Sequence, residues 1–356
     1  MPEPTPVDLL LVSPGTTAGW RRVDRELAEL VAELGLSTAT ASTDFRVARW
    51  FRRGVVLTDL AEAAAMRRAL TRALRRHRPR GIVYSSPQAT MLQPGPRLDG
   101  ATAVRFDEPA ASNRAGPGTA LLHTLERRAL ARVRLLLPLG VEPSAEALTL
   151  GLDRPMIALP VSIPVIEGPW RPRERTVVLY AGNPEKKGLP VAADAWARSA
   201  PAGWRLQVTG IDAVAGRRHL ARHAVGEPPG LEWAGTVAPD RYGELLASAS
   251  VFLSASRHED YGLAQLEALG AGLALVTRPA SGPYPALSLA RSLDPRLVAR
   301  DSSAQALADA LDVALAIDDA ERARYADRAR ELLRPHSRAE LRRRLDEQVL
   351  PVLLRE

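Results

Sequence analysis

The chain has 356 residues, 46% of them hydrophobic, which is enough for two ordinary cores. With no cysteine and six histidines, it has no disulfide scaffold or thiolate chemistry, and the same counts argue against a structural zinc site. Its 48 basic and 41 acidic residues leave a formal net charge of +7, which fits attraction to nucleotide sugars, anionic lipid or nucleic acid, or simply a solvated arginine surface. Lysine occurs only at Lys186 and Lys187. No apolar run approaches the ~20 residues of a membrane span, and the proline-rich start is too short for a signal peptide. These features point to a soluble, cytoplasmic protein.

Residues 7–13 (V-D-L-L-L-V-S) read as a first buried strand. A loop with Gly15, Thr16 and Gly19 follows, and then a helix over 21–34 with Val23, Leu27, Leu30, Val31 and Leu34 at helical spacing. This loop is either part of a ligand edge or a plain tight turn. Short strands are expected at 37–41 and 55–57. Between them, residues 45–53 mix aromatics with arginines. That segment fits contact with an anionic acceptor or membrane surface, or a loop helix with its aromatics packed inward. A helix is expected over 59–77, with the basic cluster 75–80 at its C-terminal end, where the dipole favours positive charge. Strands follow at 81–84 and 101–106, then a helix over 121–133 and a strand over 134–138.

Pro160, Pro164, Pro169 and Pro172 exclude a long helix or central strand over 159–173, the expected interdomain linker. A fresh series then begins with a strand at 176–180. The loop A-G-N-P-E-K-K-G (181–188) leads into a helix containing Val191, Ala195 and Trp196. Strands are expected at 204–209 and 231–233, a helix at 241–249, and a strand at 251–253.

The most informative stretch is 254–277, S-A-S-R-H-E-D-Y-G-L-A-Q-L-E-A-L-G-A-G-L-A-L-V-T. It reads as a strand end, a polar loop carrying Glu259, a helix starting near Tyr261, and a strand at 273–277. Gly270 and Gly272 stop the helix. In an open α/β sheet the ligand crevice lies beyond the carboxyl ends of the strands, so the loop faces it. The first amides of the helix, at Gly262 and Leu263, suit a phosphate, and Gly262 has no side chain to block its approach. Glu259 and Glu267 would accept hydroxyl hydrogen bonds on either side of that phosphate, which is what a sugar nucleotide requires. The plainer reading is two surface glutamates flanking a core helix. A turn at 281–284, helices at 304–315 and 320–333, and a last helix at 338–350 complete the chain. No internal sequence repeat is present.

Glu259 and Glu267, with Tyr261-Gly262-Leu263 between them, resemble the E-x7-E signature of retaining GT-B glycosyltransferases of family 4. The resemblance implies an α/β GT-B fold, with two Rossmann-like domains whose parallel sheets face a central cleft. It implies an acceptor-side domain over 1–165, a nucleotide-sugar domain over 166–334, and a terminal helix over 335–356 crossing back to the first domain. By position it assigns donor-sugar contacts to Glu259, the ribose to Glu267, and the diphosphate to the amides of Gly262 and Leu263. The loop 181–188 is similar to the family's Gly-Arg…Lys-Gly loop, with Gly182, Lys187 and Gly188 in place and Asn183 where the arginine stands. Lys187, helped by Lys186, then neutralises the diphosphate, and Arg257 is a candidate substitute for the missing guanidinium.

At the end of the strand over 101–106, Phe106 replaces the family's histidine while Asp107 keeps the acid. The same resemblance places Gly15 and Thr16 beside the donor phosphates and Thr236 beside the base. Tyr261, Asn183 and His258 are further donor-side candidates; an exposed loop histidine explains His258 equally well. The implied reaction is transfer of a sugar, with retention, from a UDP-, GDP-, ADP- or dTDP-sugar to an acceptor hydroxyl. No cofactor, metal or specific nucleic acid is expected. The protein would be cytoplasmic, at most peripheral at the inner membrane face. The rival readings are a GT-B-fold epimerase or phosphorylase, a silent nucleotide-sugar-binding protein, and a basic nucleic-acid binder.

Overall fold

The computed structural model describes residues 3–15, 18–43, 55–110, 116, 118–143, 148, 150–168, 170–199 and 202–355. The chain divides into two compact units, Met1–Ser162 with Arg338–Glu356, and Ile163–Ser337. Thr16 and the aromatic–arginine segment 45–53 lie outside the described residues.

The first unit is built on five parallel strands: β1 (Thr5–Ser13), β2 (Thr38–Ser42), β3 (His77–Tyr84), β4 (Thr102–Phe106) and β5 (Leu135–Pro138), in the order β2-β1-β3-β4-β5. Both sheet faces are covered, so its strands read as continuous apolar runs rather than alternating ones. Leu10 and Val12 pack into one core with Met66, Leu70 and Leu130. Leu9 and Leu11 face the other way, against Leu27, Leu30 and Val31 of helix α1 (Ala18–Glu33). The chain end returns to that second face, where Leu341, Leu345, Val349 and Leu353 close the core.

Three local expectations are corrected. Residues 55–57 do not form a strand; they open helix α2 (Val55–Ala73). No breaker separates Val55-Val56-Leu57 from the apolar positions that follow, and Val56 and Leu60 pack side by side against Ala63, Met91 and Leu122. The helix ends at Ala73, well short of residue 77. The chain from His77 is instead the first half of β3, paired in register with Thr5, Pro6 and Val7 of β1. Most of the basic cluster therefore does not cap a helix. The expected last helix is interrupted: Arg338–Arg344 is α-helical, Leu345–Val349 is a π turn, and Leu350–Leu353 is α-helical again. Pro351 has no N–H to give Glu347, and its ring would press on that carbonyl, so the coil widens just before it.

The second unit repeats the architecture: β6 (Thr176–Tyr180), β7 (Arg205–Thr209), β8 (Leu231–Gly235), β9 (Val251–Ser254) and β10 (Ala274–Thr277), all parallel, in the order β10-β9-β6-β7-β8. β6 is the earliest strand in sequence and sits in the middle. Later strands are added on one side up to β8 and then on the other, so the winding reverses between β6 and β9. That junction is a topological switch point, where the loops after the two strands diverge and leave a crevice. Among the described residues, no helix is long and apolar enough to cross a membrane.

Candidate functional site

The two loops that leave the switch point carry most of the residues singled out in the sequence. The loop after β6 holds 181–188; the loop after β9 holds 255–262. Because β6 pairs with β9 through Val177–Val251 and Val178–Phe252, the loops are neighbours although their key residues are 72 positions apart.

The first loop is a tight turn built from its own polar groups. Asn183 Oδ1 accepts the Lys186 amide at 3.1 Å, and the Asn183 carbonyl accepts the Lys187 amide at 2.8 Å. Gly188 closes the turn at φ 66°, where a β-carbon would stand 2.0 Å from the Ala255 carbonyl oxygen of the second loop, so that a side chain would collide there. Arg257 N–H donates to the Lys186 carbonyl at 3.0 Å. These contacts lock the loops together and present both lysines to the second loop.

Glu259 is the centre of the cluster and is only 3% exposed. Lys187 Nζ lies 2.6 Å from its Oε1 and 2.9 Å from its Oε2. Ser256 Oγ donates to Oε1 at 2.5 Å, and Gln265 Nε2 donates to Oε1 at 2.8 Å. Gln265 also reaches Ser254 Oγ at 2.9 Å. Buried charge persists only when paired and hydrogen-bonded, and both conditions are met here. The two oxygens differ: Oε1 has three donors, whereas Oε2 is held by Lys187 alone among the described residues. The Lys187 ammonium also stands 5.8 Å from the Tyr180 ring centroid. Burial, and next the Glu259 charge, push the Tyr180 hydroxyl above its usual pKa.

A second ion pair flanks the first. Lys186 Nζ is 2.5 Å from Asp260 Oδ2, and His258 Nε2 is 2.9 Å from Asp260 Oδ1. Burial raises the Asp260 carboxyl, but Lys186 and His258 outweigh it and hold the group below the ordinary aspartate value. His258 Nδ1 contacts Ser281 Oγ at 2.8 Å, and Glu259 N–H donates to the Ser281 carbonyl at 2.9 Å. The turn at 281–284 therefore clamps the glutamate loop. Arg257 pairs with Glu185 of the lysine loop at 2.7 Å.

The helix after Glu259, α8 (Leu263–Gly270), begins two residues later than expected. Gly262 is its N-cap at φ 79°, ψ 46°, and a β-carbon there would stand 2.8 Å from the Tyr284 ring. Only glycine meets both demands. The cap has no side-chain acceptor, so the opening amides of α8 beside Gly262 and Leu263 receive nothing from it. Glu267 lies on α8, half-buried. Tyr261 is buried, with its hydroxyl 3.3 Å from His336 Nδ1, so it braces the loop.

The structure thus brings together Glu259, Lys187, Lys186, Asn183, Gly182, Arg257, His258, Tyr261, Gly262 and Leu263 with α8 and its Glu267. Thr236 stands exposed past β8, which β7 separates from the switch point, and it takes no part in this hydrogen-bond cluster. Gly15 and Asp107 belong to the first unit. Each lies just past the carboxyl end of a strand, Gly15 at φ 61° after β1 and Asp107 after β4, where its Oδ1 accepts the Glu108 amide at 2.9 Å. Tyr284, whose ring stands against Gly262, belongs to the turn at 281–284 expected beyond the strand; Ser256 and Gln265 were missed in the sequence. A glutamine among the apolar residues of a core helix was the available signal for Gln265; nothing in the sequence marked Ser256.

Two sheets of five parallel strands, with this site at the carboxyl edge of the second, define the GT-B glycosyltransferase fold. Residues 175–316, less than half of the chain and all within the second unit, match the family described as glycosyl transferases group 1. The fold is similar to that of a glycosyltransferase from Rickettsia africae (TM-score 0.67, 11% identity, covering 100% of both chains). It is also similar to a sucrose-phosphate synthase from Thermosynechococcus elongatus (0.71, 14%, covering 96% of this chain and 98% of that one). A third is WaaG, a glycosyltransferase involved in lipopolysaccharide biosynthesis (0.66, 17%, covering 92% and 95%). No curated protein sequence matches the chain.

Proposed function

We propose that the protein transfers a sugar, with retention and without an obligatory metal, from a nucleoside-diphosphate sugar to an acceptor hydroxyl. The observation that carries this reading is the part-buried Lys187–Glu259 pair beside the uncapped start of α8, at the switch point of the second sheet. A diphosphate seated on the opening amides would draw the Lys187 ammonium toward itself. Glu259 would keep Oε1 on Ser256 and Gln265, and Oε2 would become free to accept a sugar hydroxyl. One cation thus serves the resting carboxylate and then the leaving diphosphate, where charge develops as the glycosidic bond breaks. Glu267 on α8 is proposed to hold the ribose, and Lys186 to add charge to the loop. Asn183 is spent on the turn, so the phosphate cations of this loop are its two lysines.

The test uses the fact that these are the only lysines in the chain. After reductive ¹³C-methylation, the lysine methyl resonances report on this loop alone. Titration with UDP, GDP, ADP and dTDP and their sugars should move both signals with one base. The same ligand, at 100 times its dissociation constant, should add about 2.7 kcal/mol of stability. Product analysis with and without acceptor then separates transfer from epimerisation. If no nucleotide moves either signal in the folded protein, the reading fails.

A further inference from the structure

Outside the nucleotide-facing cluster, three metal-ligating side chains converge behind the lysine loop. Glu185 belongs to that loop. His219 lies in the last turn of helix α6 (Ala213–Arg222), and His223 caps its C-terminal end. The H-x3-H spacing puts both imidazoles on one helix face, one turn apart. Their ring centroids are 4.8 Å apart. Glu185 Oε2 is 3.2 Å from His223 Nε2 and 3.9 Å from His219 Nε2, and one ligand atom from each residue lies within 4.8 Å of the others.

We infer that Glu185, His219 and His223 form a binding site for a divalent transition ion of the zinc type, tying the lysine loop to the end of α6. Tetrahedral zinc with bonds of ~2.0–2.1 Å spaces its ligand atoms about 3.3 Å apart, a value between the two measured separations. Two imidazoles and a carboxylate are the donor set of a three-ligand zinc site, with the fourth position left to solvent. The independent observation is His219 itself: it is 3% exposed, and its buried Nε2, aimed at Glu185, has no hydrogen-bond partner among the described residues. In folded proteins a buried polar atom generally finds a hydrogen-bond partner. The other oxygen of Glu185 accepts from Arg257 at 2.7 Å, which aims Oε2 at the histidines. The expectation against a structural zinc site rested on the cysteine and histidine counts; the fold places two histidines one turn apart, facing a carboxylate from another loop.

One contact opposes the ion and sharpens the test. Arg222 lies 3.0 Å from His219 Nδ1. An arginine only donates, so it holds the proton on Nε2. Ligation through Nε2 needs that proton on Nδ1, and the exposed Arg222 must swing away first. Arg222 is therefore a competitor of the ion.

Full-chain protein without an affinity tag, stripped with chelator, is titrated with Zn²⁺ by calorimetry and with Co²⁺ by its ligand-field absorption. One ion per chain is expected. His223→Gln, at an exposed position that leaves the fold intact, should weaken binding by at least about 100-fold, beyond the loss expected for an outer-sphere change. Glu185→Gln should weaken it similarly, and Arg222→Ala should tighten it. Absence of stoichiometric binding, or binding that survives His223→Gln, overturns the site. Unchanged affinity in Arg222→Ala overturns ligation through His219 Nε2. Because only the ion is titrated, the result stands apart from nucleotide binding: failure here leaves the donor reading untouched, and the reverse also holds.

Discussion

Lys187 and Glu259, 72 residues apart in the chain, form a two-pronged ion pair, with the ammonium 2.6 and 2.9 Å from the two carboxylate oxygens. Glu259 is buried while Lys187 is 16% exposed at its side chain. Truncating the lysine strands a buried charge. Lys187→Ala should therefore cost about 3 kcal/mol in urea unfolding. Adding Glu259→Gln to it should recover part of that loss, with a coupling energy above about 1 kcal/mol. Additive losses would mean that the two side chains do not interact in solution.

Gln265 touches Glu259 Oε1 but not Oε2, so it positions the carboxylate. Gln265→Leu should lower kcat/KM for transfer by roughly tenfold, corresponding to about 1.4 kcal/mol, with a milder effect from Gln265→Asn. Equal damage to thermal stability and activity would instead mark Gln265 as a purely structural residue.

Asn183 closes the lysine turn through its side-chain oxygen. Asn183→Asp keeps that acceptor, whereas Asn183→Ala loses it. The alanine variant should unfold about 1 kcal/mol more easily, and the aspartate variant should match the parent in denaturant titrations. An equal loss in both would show that the amide N–H₂ group, not the oxygen, matters.

Gly35, Gly262 and Gly188 all have left-handed backbone but differ in space. A β-carbon at Gly35 meets nothing within 4 Å, at Gly262 it meets the Tyr284 ring, and at Gly188 it meets the Ala255 carbonyl. Gly35→Ala should cost only the backbone term, about 1–2 kcal/mol. Gly262→Ala should cost more, and Gly188→Ala the most, because a ring can shift and a carbonyl locked in the neighbouring loop cannot. Thermal melts of the three variants rank them directly.

Tyr84, Tyr284 and Tyr325 are buried, and burial pushes each hydroxyl well above its ordinary pKa of 10.0. A folded-state pKa above the unfolded value favours the fold below the unfolded pKa, and that advantage fades as pH rises through the folded one. Stability should therefore fall progressively above pH 10. The tyrosinate absorbance of these three should appear only with unfolding. A smooth native titration of all six tyrosines would contradict their burial.

Much of the architecture was legible because local physics sets it. Leu9–Val12 and Val251–Leu253 are apolar runs too short for helices, and both proved to be strands buried on both faces. The residues of the site were legible as types: two lysines in a glycine-bounded loop, and a glutamate before a glycine-started helix. Local reading failed where tertiary packing outvoted propensity. Val55–Leu57 looks like a strand and joins a helix, in which Val56 packs with Leu60 against Met91 and Leu122. His77–Arg80 looks like a helix end and pairs with β1 because Thr5–Val7 offers an open edge.

The sequence by itself determined the alternation of strands and helices, the glycines required by positive φ, and which polar residues follow which strand. It carried no information on strand order, because pairing between segments is decided by burial of whole faces rather than by local propensity. Only the tertiary structure set β6 beside β9 and so placed Lys187 on Glu259, left Oε2 with a single partner among the described residues, and turned Glu185 toward His219 and His223. Charges so far apart in sequence meet only when the sheet between them has formed, and that is where the chemistry of this chain is decided.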